Sequence, residues 1–126
     1  SRIYNNFKGK KKIIGICLGF QQILFSEGAN IIEQSKIYHG FQSDVIVSKS
    51  SKLFKPGQKF KVGRYHSLKL QEPFKAENFD ITMRCAISGA AMSFENNIDK
   101  IYGFQFHPES FLTINGKLLI KKILSA

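Results

Sequence analysis

The stretch "KKIIGICLGFQQILFSEG", Lys11 to Gly28, sets a cysteine between two glycines at the end of an apolar run. Lys11–Ile16 reads as a strand. Its isoleucines follow one another without polar alternation, the pattern of a strand covered on both faces. Such a strand belongs inside a sheet, with a neighbour on each side. Residues 17–27 read as a helix, with Leu18, Gln21, Gln22 and Phe25 at helical spacing and Gly28 as its stop. "GICLG", Gly15 to Gly19, fits the G-x-nucleophile-x-G pattern of a sharp strand-to-helix turn. Both glycines are expected to leave room for backbone where Cβ atoms would clash. The turn presents Cys17 at the carboxyl end of a strand and the N-terminus of a helix, where the dipole and free N–H groups favour a thiolate. Cys17 is therefore a candidate nucleophile. The competing reading is a small buried apolar residue, a common fate of free cysteine.

The rest of the chain extends this strand–helix start into a β-rich second half. Strands are expected at Ala29–Tyr38, Ser43–Ser48, Phe60–Tyr65, Phe79–Cys85, Ala90–Phe94 and Ile101–Phe106. "KPGQ", Lys55 to Gln58, reads as a turn, and "ENNIDK", Glu95 to Lys100, as the turn between the last two strands. Thr113 is placed to cap a final helix over Asn115–Leu124, with Leu119, Ile120, Ile123 and Leu124 as its apolar stripe. The order gives an α/β layer. Phe41, Phe54, Phe60, Phe74, Phe79 and Phe94 read as core, and Cys85 as a buried structural thiol.

Composition narrows the function classes. The 126 residues suit one domain. Two cysteines without close spacing make neither a disulfide framework nor a metal site, and point to a reducing, cytoplasmic setting. The apolar run Ile13–Phe20 is too short to span a bilayer. A net charge of +10 raises nucleic acid or an anionic membrane as partners. The lysines are scattered along the chain rather than clustered, which favours a solvated basic surface. Neither partner is expected.

"QFHPES", Gln105 to Ser110, supplies a second candidate group. A strand delivers His107 at its carboxyl end, Pro108 stops it, and Glu109 follows two residues later. In an extended loop the carboxylate can hold the imidazole. A cysteine, a histidine and an orienting carboxylate are the arrangement for thiol acyl transfer. Taken alone, the same residues read as a surface histidine in a turn.

"GICLGFQQI", "GRYHSL" and "GFQFHPES" are together similar, in order and spacing, to the class I glutamine amidotransferase domain. The likeness runs from about Lys12 to the C-terminus. It is closest to the small subunits of anthranilate synthase and aminodeoxychorismate synthase, which "HGFQS" and "FLTINGKLL" also fit.

The resemblance implies a flavodoxin-like mixed sheet and a site assigned by position. Cys17 would attack the glutamine amide to form a γ-glutamyl thioester. His107 would protonate the departing ammonia and then activate water, and Glu109 would orient His107. The Leu18 N–H would donate to the oxyanion. Gln21 would contact the substrate, and Ser67 and Leu68 would hold its amino-acid end through the backbone. His66 would have a structural or positioning role; His39 is a candidate to line a partner interface, the competing reading being a plain turn histidine. No metal or cofactor is implied. The partners would be L-glutamine and a larger chorismate-binding synthase subunit that receives ammonia. Phe20 stands where the family often has histidine.

The resemblance also implies that residues 1–126 are a partial domain, N-terminally truncated by roughly a third. The missing part would hold the first strands and a glycine-rich loop with the second oxyanion N–H. Isolated activity is then expected to be low, with another chain, including a second copy, completing the sheet. The alternative is a catalytically incomplete remnant acting as an interaction module.

Overall fold

The computed structural model describes residues 2–34, 40–66, 68–110 and 112–126. The chain begins with a short helix α1 (Arg2–Phe7), then strand β1 (Ile13–Ile16) and helix α2 (Leu18–Ser26). Strands β2 (Ile31–Glu33), β3 (Phe41–Val47), β4 (Lys59–Arg64), β5 (Leu68–Leu70), β6 (Asp80–Cys85), β7 (Ala91–Asn96) and β8 (Ile101–Phe104) follow. Helix α3 (Gly116–Leu124) closes the fold.

Six strands form one sheet in the order β1-β8-β7-β6-β3-β4. β1 pairs parallel to β8, with Ile16 opposite Phe104. The remaining neighbours in this sheet run antiparallel. β2 and β5 form a separate antiparallel pair.

The sheet has a core on each face, because successive strand residues point to opposite sides. Tyr102 and Phe104 of β8 join Met92, Val45 and Val62 in one core, under Leu119 and Ile123 of α3. Ile101 turns to the other, with Phe94, Phe20, Ile23 and Leu24 of α2 and Tyr4 of α1. The ring of Phe94 lies 5.3 Å from that of Phe20 and 5.5 Å from that of Phe79. Burying one such side chain contributes about 1.5–3 kcal/mol.

β1 departs from expectation. It is an edge strand, paired on one side by β8, and Ile14 is 38% exposed. An unalternating apolar run shows that both faces suit burial; it does not create a neighbour. α2 differs also. Its buried side carries Phe20, Gln21, Ile23 and Leu24, whereas Leu18 and Phe25 of the expected stripe face outward. The helix does stop as expected. Gly28, at φ 96°, donates to the Phe25 carbonyl, and Ala29 donates to that of Leu24, the paired bonds of a Schellman cap.

Several boundaries shift. The Ala29–Tyr38 strand is strand only at Ile31–Glu33, and residues 35–39 lie outside the described residues. The "KPGQ" turn is present, closed by the Gln58 N–H on the Lys55 carbonyl. α1 and β5 had no counterpart in the sequence reading. Of the phenylalanines assigned to the core, Phe41 is 50% exposed, at the start of β3. Thr113 does not cap α3; Asn115 precedes the helix in a left-handed conformation, without a side-chain cap bond. No described helix is long and apolar enough to cross a membrane.

Candidate active site

β1 and β8 end side by side, so whatever follows them emerges at one edge of the sheet. Cys17 is the first residue past β1, and Gln105 and His107 come shortly after β8. The Cys17 N–H donates to the Phe104 carbonyl at 2.8 Å, extending the parallel ladder by one bond. The chain then turns into α2, and the Cys17 carbonyl accepts from Gln21 at 3.2 Å.

This turn holds Cys17 at φ 54°, ψ −103°. A non-glycine residue there carries strain of about 1–3 kcal/mol. The turn closes because Gly15 has no side chain. A Cβ on Gly15 would lie 2.7 Å from the backbone carbon of Gly19. The expectation that both glycines make room holds for Gly15 alone. A Cβ at Gly19 would meet open space.

The thiol is half-buried, and burial pushes it above its ordinary value. The Leu18 N–H and the Gln105 amide favour the thiolate, while the Glu109 carboxylate opposes it. Burial wins, so the resting thiol is protonated. The expected pull of the turn toward the thiolate is present in the Leu18 N–H, and the loss of water on burial outweighs it.

His107 is fixed through its backbone and its ring. Its N–H donates to the Gly63 carbonyl at 3.2 Å, and its carbonyl accepts from Thr113 Oγ1 at 2.6 Å. Thr113 also accepts from the Gly63 N–H at 2.8 Å, tying β4 to the histidine. The ring Nδ1 lies 2.8 Å from Glu109 Oε2, the contact expected from the two-residue spacing. A carboxylate on Nδ1 fixes the proton there and leaves Nε2 as the basic nitrogen. The Tyr65 ring stands edge-on to the imidazole with centroids 5.3 Å apart, and its hydroxyl meets Ser110 Oγ at 2.9 Å.

Three of the expected substrate contacts share one groove, whose lining does not include Cys17 or His107. Leu18, Gln21 and Leu68 line one open groove of about 350 Å³, with Gln22, Phe25, Ser26 and Ile31. Ser67 and His39 lie outside the described residues. The Leu68 carbonyl accepts from His66 Nδ1 at 2.8 Å. Arg64 Nε donates to His66 Nε2 at 2.9 Å, so the Nδ1–H tautomer is the one that satisfies both contacts. Burial, with Arg64 and His107 nearby, lowers His66 to about 4 and keeps it neutral. Arg64 is fully buried and also reaches Ser43 Oγ at 3.4 Å and Cys85 Sγ at 3.3 Å. Cys85 is buried, as expected. Burial pushes its thiol up, but Ser88, the Ile87 N–H and Arg64 outweigh it and hold the thiol below its ordinary value.

Sequence reasoning missed Gln105, Tyr65 and Thr113. Gln105 was legible from alternation: Phe104 and Phe106 enter one core, so the residue between them faces α2. Tyr65 and Thr113 gave no such signal, because their partners come from distant parts of the chain. Among the described residues no group of three or more His, Cys, Asp or Glu side chains is placed to hold a metal.

A thiol on a strained strand-to-helix turn follows β1, and a histidine held by a carboxylate follows β8, its parallel neighbour in the sheet. The family model for glutamine amidotransferase class-I matches residues 2–126, and the chain belongs to that family. It is similar to anthranilate synthase component 2 of Lactococcus lactis subsp. lactis, at 36% identity over 124 residues, covering 98% of this chain and 63% of that protein. It is 40% identical over 119 residues to anthranilate synthase component 2 of Buchnera aphidicola subsp. Schizaphis graminum, covering 94% of this chain and 58% of that one. Aminodeoxychorismate synthase component 2 of Klebsiella aerogenes is 33% identical over 120 residues, covering 95% and 64%. The chain thus spans about three-fifths of the length of these curated relatives. The fold is shared with the crystal structure of a putative GMP synthase protein from Thermoplasma acidophilum, at TM-score 0.81 and 24% identity, covering 98% of this chain and 60% of that one.

Proposed function

We propose that the chain is the glutaminase component of a chorismate-utilising synthase, acting in the cytoplasm. Cys17, His107 and Glu109 carry the reaction. The supporting observation is the Cys17 elbow, joined by main-chain pairing to the strand that leads into the His107–Glu109 pair. The names of the relatives, component 2 of anthranilate synthase and of aminodeoxychorismate synthase, support the partner: a larger chorismate-binding subunit that receives ammonia.

The raised thiol sets the order of events. His107 Nε2 takes the thiol proton as Sγ bonds to the γ-carboxamide carbon of glutamine. The Leu18 N–H donates to the oxyanion. The tetrahedral intermediate collapses, the C–N bond breaks, and His107 returns its proton to the nitrogen, which leaves as ammonia. Water, deprotonated by His107, attacks the γ-glutamyl thioester. Glutamate leaves and the thiol is restored. Gln21 and Leu68 line the groove proposed to take the amino acid, and the Ser67 backbone is proposed, from the family resemblance, to hold its amino-acid end.

The domain is proposed as a partial one, completed by another chain. The free edge of β1 is the surface where a strand from that chain, or from a second copy, would add.

The test is ammonia release from glutamine, with and without a chorismate-binding synthase subunit, beside labelling of Cys17 by a glutamine-analogue chloroketone. Activity that appears with the partner and vanishes in Cys17→Ala supports the reading. Absence of both labelling and activity overturns it in favour of a non-catalytic interaction module.

A further inference from the structure

Gln105 is fully buried at the carboxyl end of β8, its N–H donating to the Met92 carbonyl at 2.9 Å. Its side chain lies between two residues of the proposed site. Nε2 of Gln105 lies 3.9 Å from Cys17 Sγ, within reach of an N–H···S contact. Oε1 of Gln105 accepts from Gln21 Nε2 at 3.0 Å.

In the thiolate and the thioester, though not in the resting thiol, which can also donate, the chemistry of the sulfur fixes the direction of this chain of contacts. A thiolate, and the sulfur of a thioester, can only accept. Gln105 must therefore turn its amide nitrogen to the sulfur and its carbonyl to Gln21. Gln21 must then turn its own nitrogen to Gln105. Its carbonyl is left toward the groove that it lines with Leu18 and Leu68. Among the described residues no donor is placed on that oxygen and no buried side-chain oxygen is left without a partner, so it is open to solvent at the groove. A free amide can present either end; this one is set to accept.

We propose that Gln105 is a positioning residue of this site: its amide N–H steadies the sulfur of Cys17, and its carbonyl turns the Gln21 carbonyl toward an N–H donor of the substrate. This rests on the proposed glutaminase reading for the identity of the substrate, not for the contacts themselves. The other groups acting on the Cys17 sulfur are the Leu18 N–H and the Glu109 carboxylate, and neither belongs to Gln105 or Gln21.

The experiment reads the thiol directly. The pH dependence of Cys17 alkylation by iodoacetamide is followed by peptide mass spectrometry, which separates Cys17 from Cys85. Gln105→Met keeps the length of the side chain and removes the donor. The expected result is an alkylation midpoint moved to higher pH, with alkylation at neutral pH about five-fold slower, the factor one net hydrogen bond supplies. Gln105→Glu, which sets a carboxylate against the sulfur, moves the midpoint further in the same direction. A midpoint unchanged in both folded variants overturns the proposal. Should the variants not fold, the unaltered protein decides: the side-chain NH₂ resonances of Gln105 shift through the same midpoint as Cys17 alkylation, and resonances that do not titrate overturn it. Neither measurement needs glutaminase activity, so failure here is distinct from failure of the proposed function. Where activity is present, Gln105→Met lowers kcat and raises KM together, because both the sulfur and Gln21 lose their fixed partner.

Discussion

The backbone N–H of Cys17 donates to the carbonyl of Phe104 at 2.8 Å. That bond carries the β1–β8 ladder one residue beyond the strands and locks the elbow to the segment leading to Gln105 and His107. The position of the thiol relative to the histidine is therefore a property of sheet register, not of two independent loops. Substitutions that disturb the elbow, the ladder or the backbone clamp on His107 are expected to separate in their effects.

Cys17→Gly should remove the proposed nucleophile and relieve its backbone at once. Cys17 sits at φ 54°, ψ −103°, a region that glycine enters far more readily. The expected outcome is loss of the proposed glutaminase activity and a melting temperature raised by an amount equivalent to about 1 kcal/mol. A thermal melt beside that of Cys17→Ala checks it. A glycine variant no more stable than the alanine one would show that the elbow is not strained.

Gly15→Ala and Gly19→Ala should behave oppositely, although the motif treats the two glycines alike. A methyl group at Gly15 would press on the Gly19 backbone at 2.7 Å and cost about 1–3 kcal/mol. At Gly19 the same methyl meets open space in the first turn of α2 and should be neutral or add up to about 1 kcal/mol. Urea unfolding of the two variants measures the difference.

Thr113→Val keeps the shape of the side chain and removes its hydroxyl. The Gly63 N–H, bonded to Thr113 Oγ1 at 2.8 Å, would be left buried without that acceptor. The cost should be about 1–3 kcal/mol. Activity should fall as well, because the His107 carbonyl loses its donor at 2.6 Å. A variant with full stability and full activity would rule out this clamp.

Glu109→Gln should lower kcat by about 10²-fold with little change in stability, since Glu109 is exposed and meets His107 Nδ1 at 2.8 Å. The loss reflects an imidazole no longer held in one tautomer. Steady-state kinetics and a thermal melt together check the split.

His66 should make stability depend on acid. Its folded value is lowered from 6.5 to about 4, so between these the unfolded chain binds a proton that the folded chain does not. Stability therefore is full above about pH 6.5 and falls as pH drops toward 4. Urea unfolding at neutral and mildly acidic pH measures the slope, and His66→Gln should flatten it. An unchanged slope in that variant would assign the dependence to other groups.

The sequence by itself determined the strand–elbow–helix unit, its glycine stop at Gly28, the His107–Glu109 contact and the family to which the chain belongs. Each follows from short-range chemistry: the spacing of apolar residues, a glycine where φ is positive, a carboxylate two residues from an imidazole in an extended turn. Only the tertiary structure decided what surrounds them. Leu18 and Phe25 face outward because Phe20, Ile23 and Leu24 fill the core beneath α2. Among the described residues β1 pairs on one side only, with β8. Thr113 clamps Gly63 and His107 instead of capping α3. The Cys17 thiol is raised, because burial and Glu109 outweigh the N–H groups around it. These outcomes depend on groups brought together from distant parts of the chain, and local pattern carries no record of the distances between them.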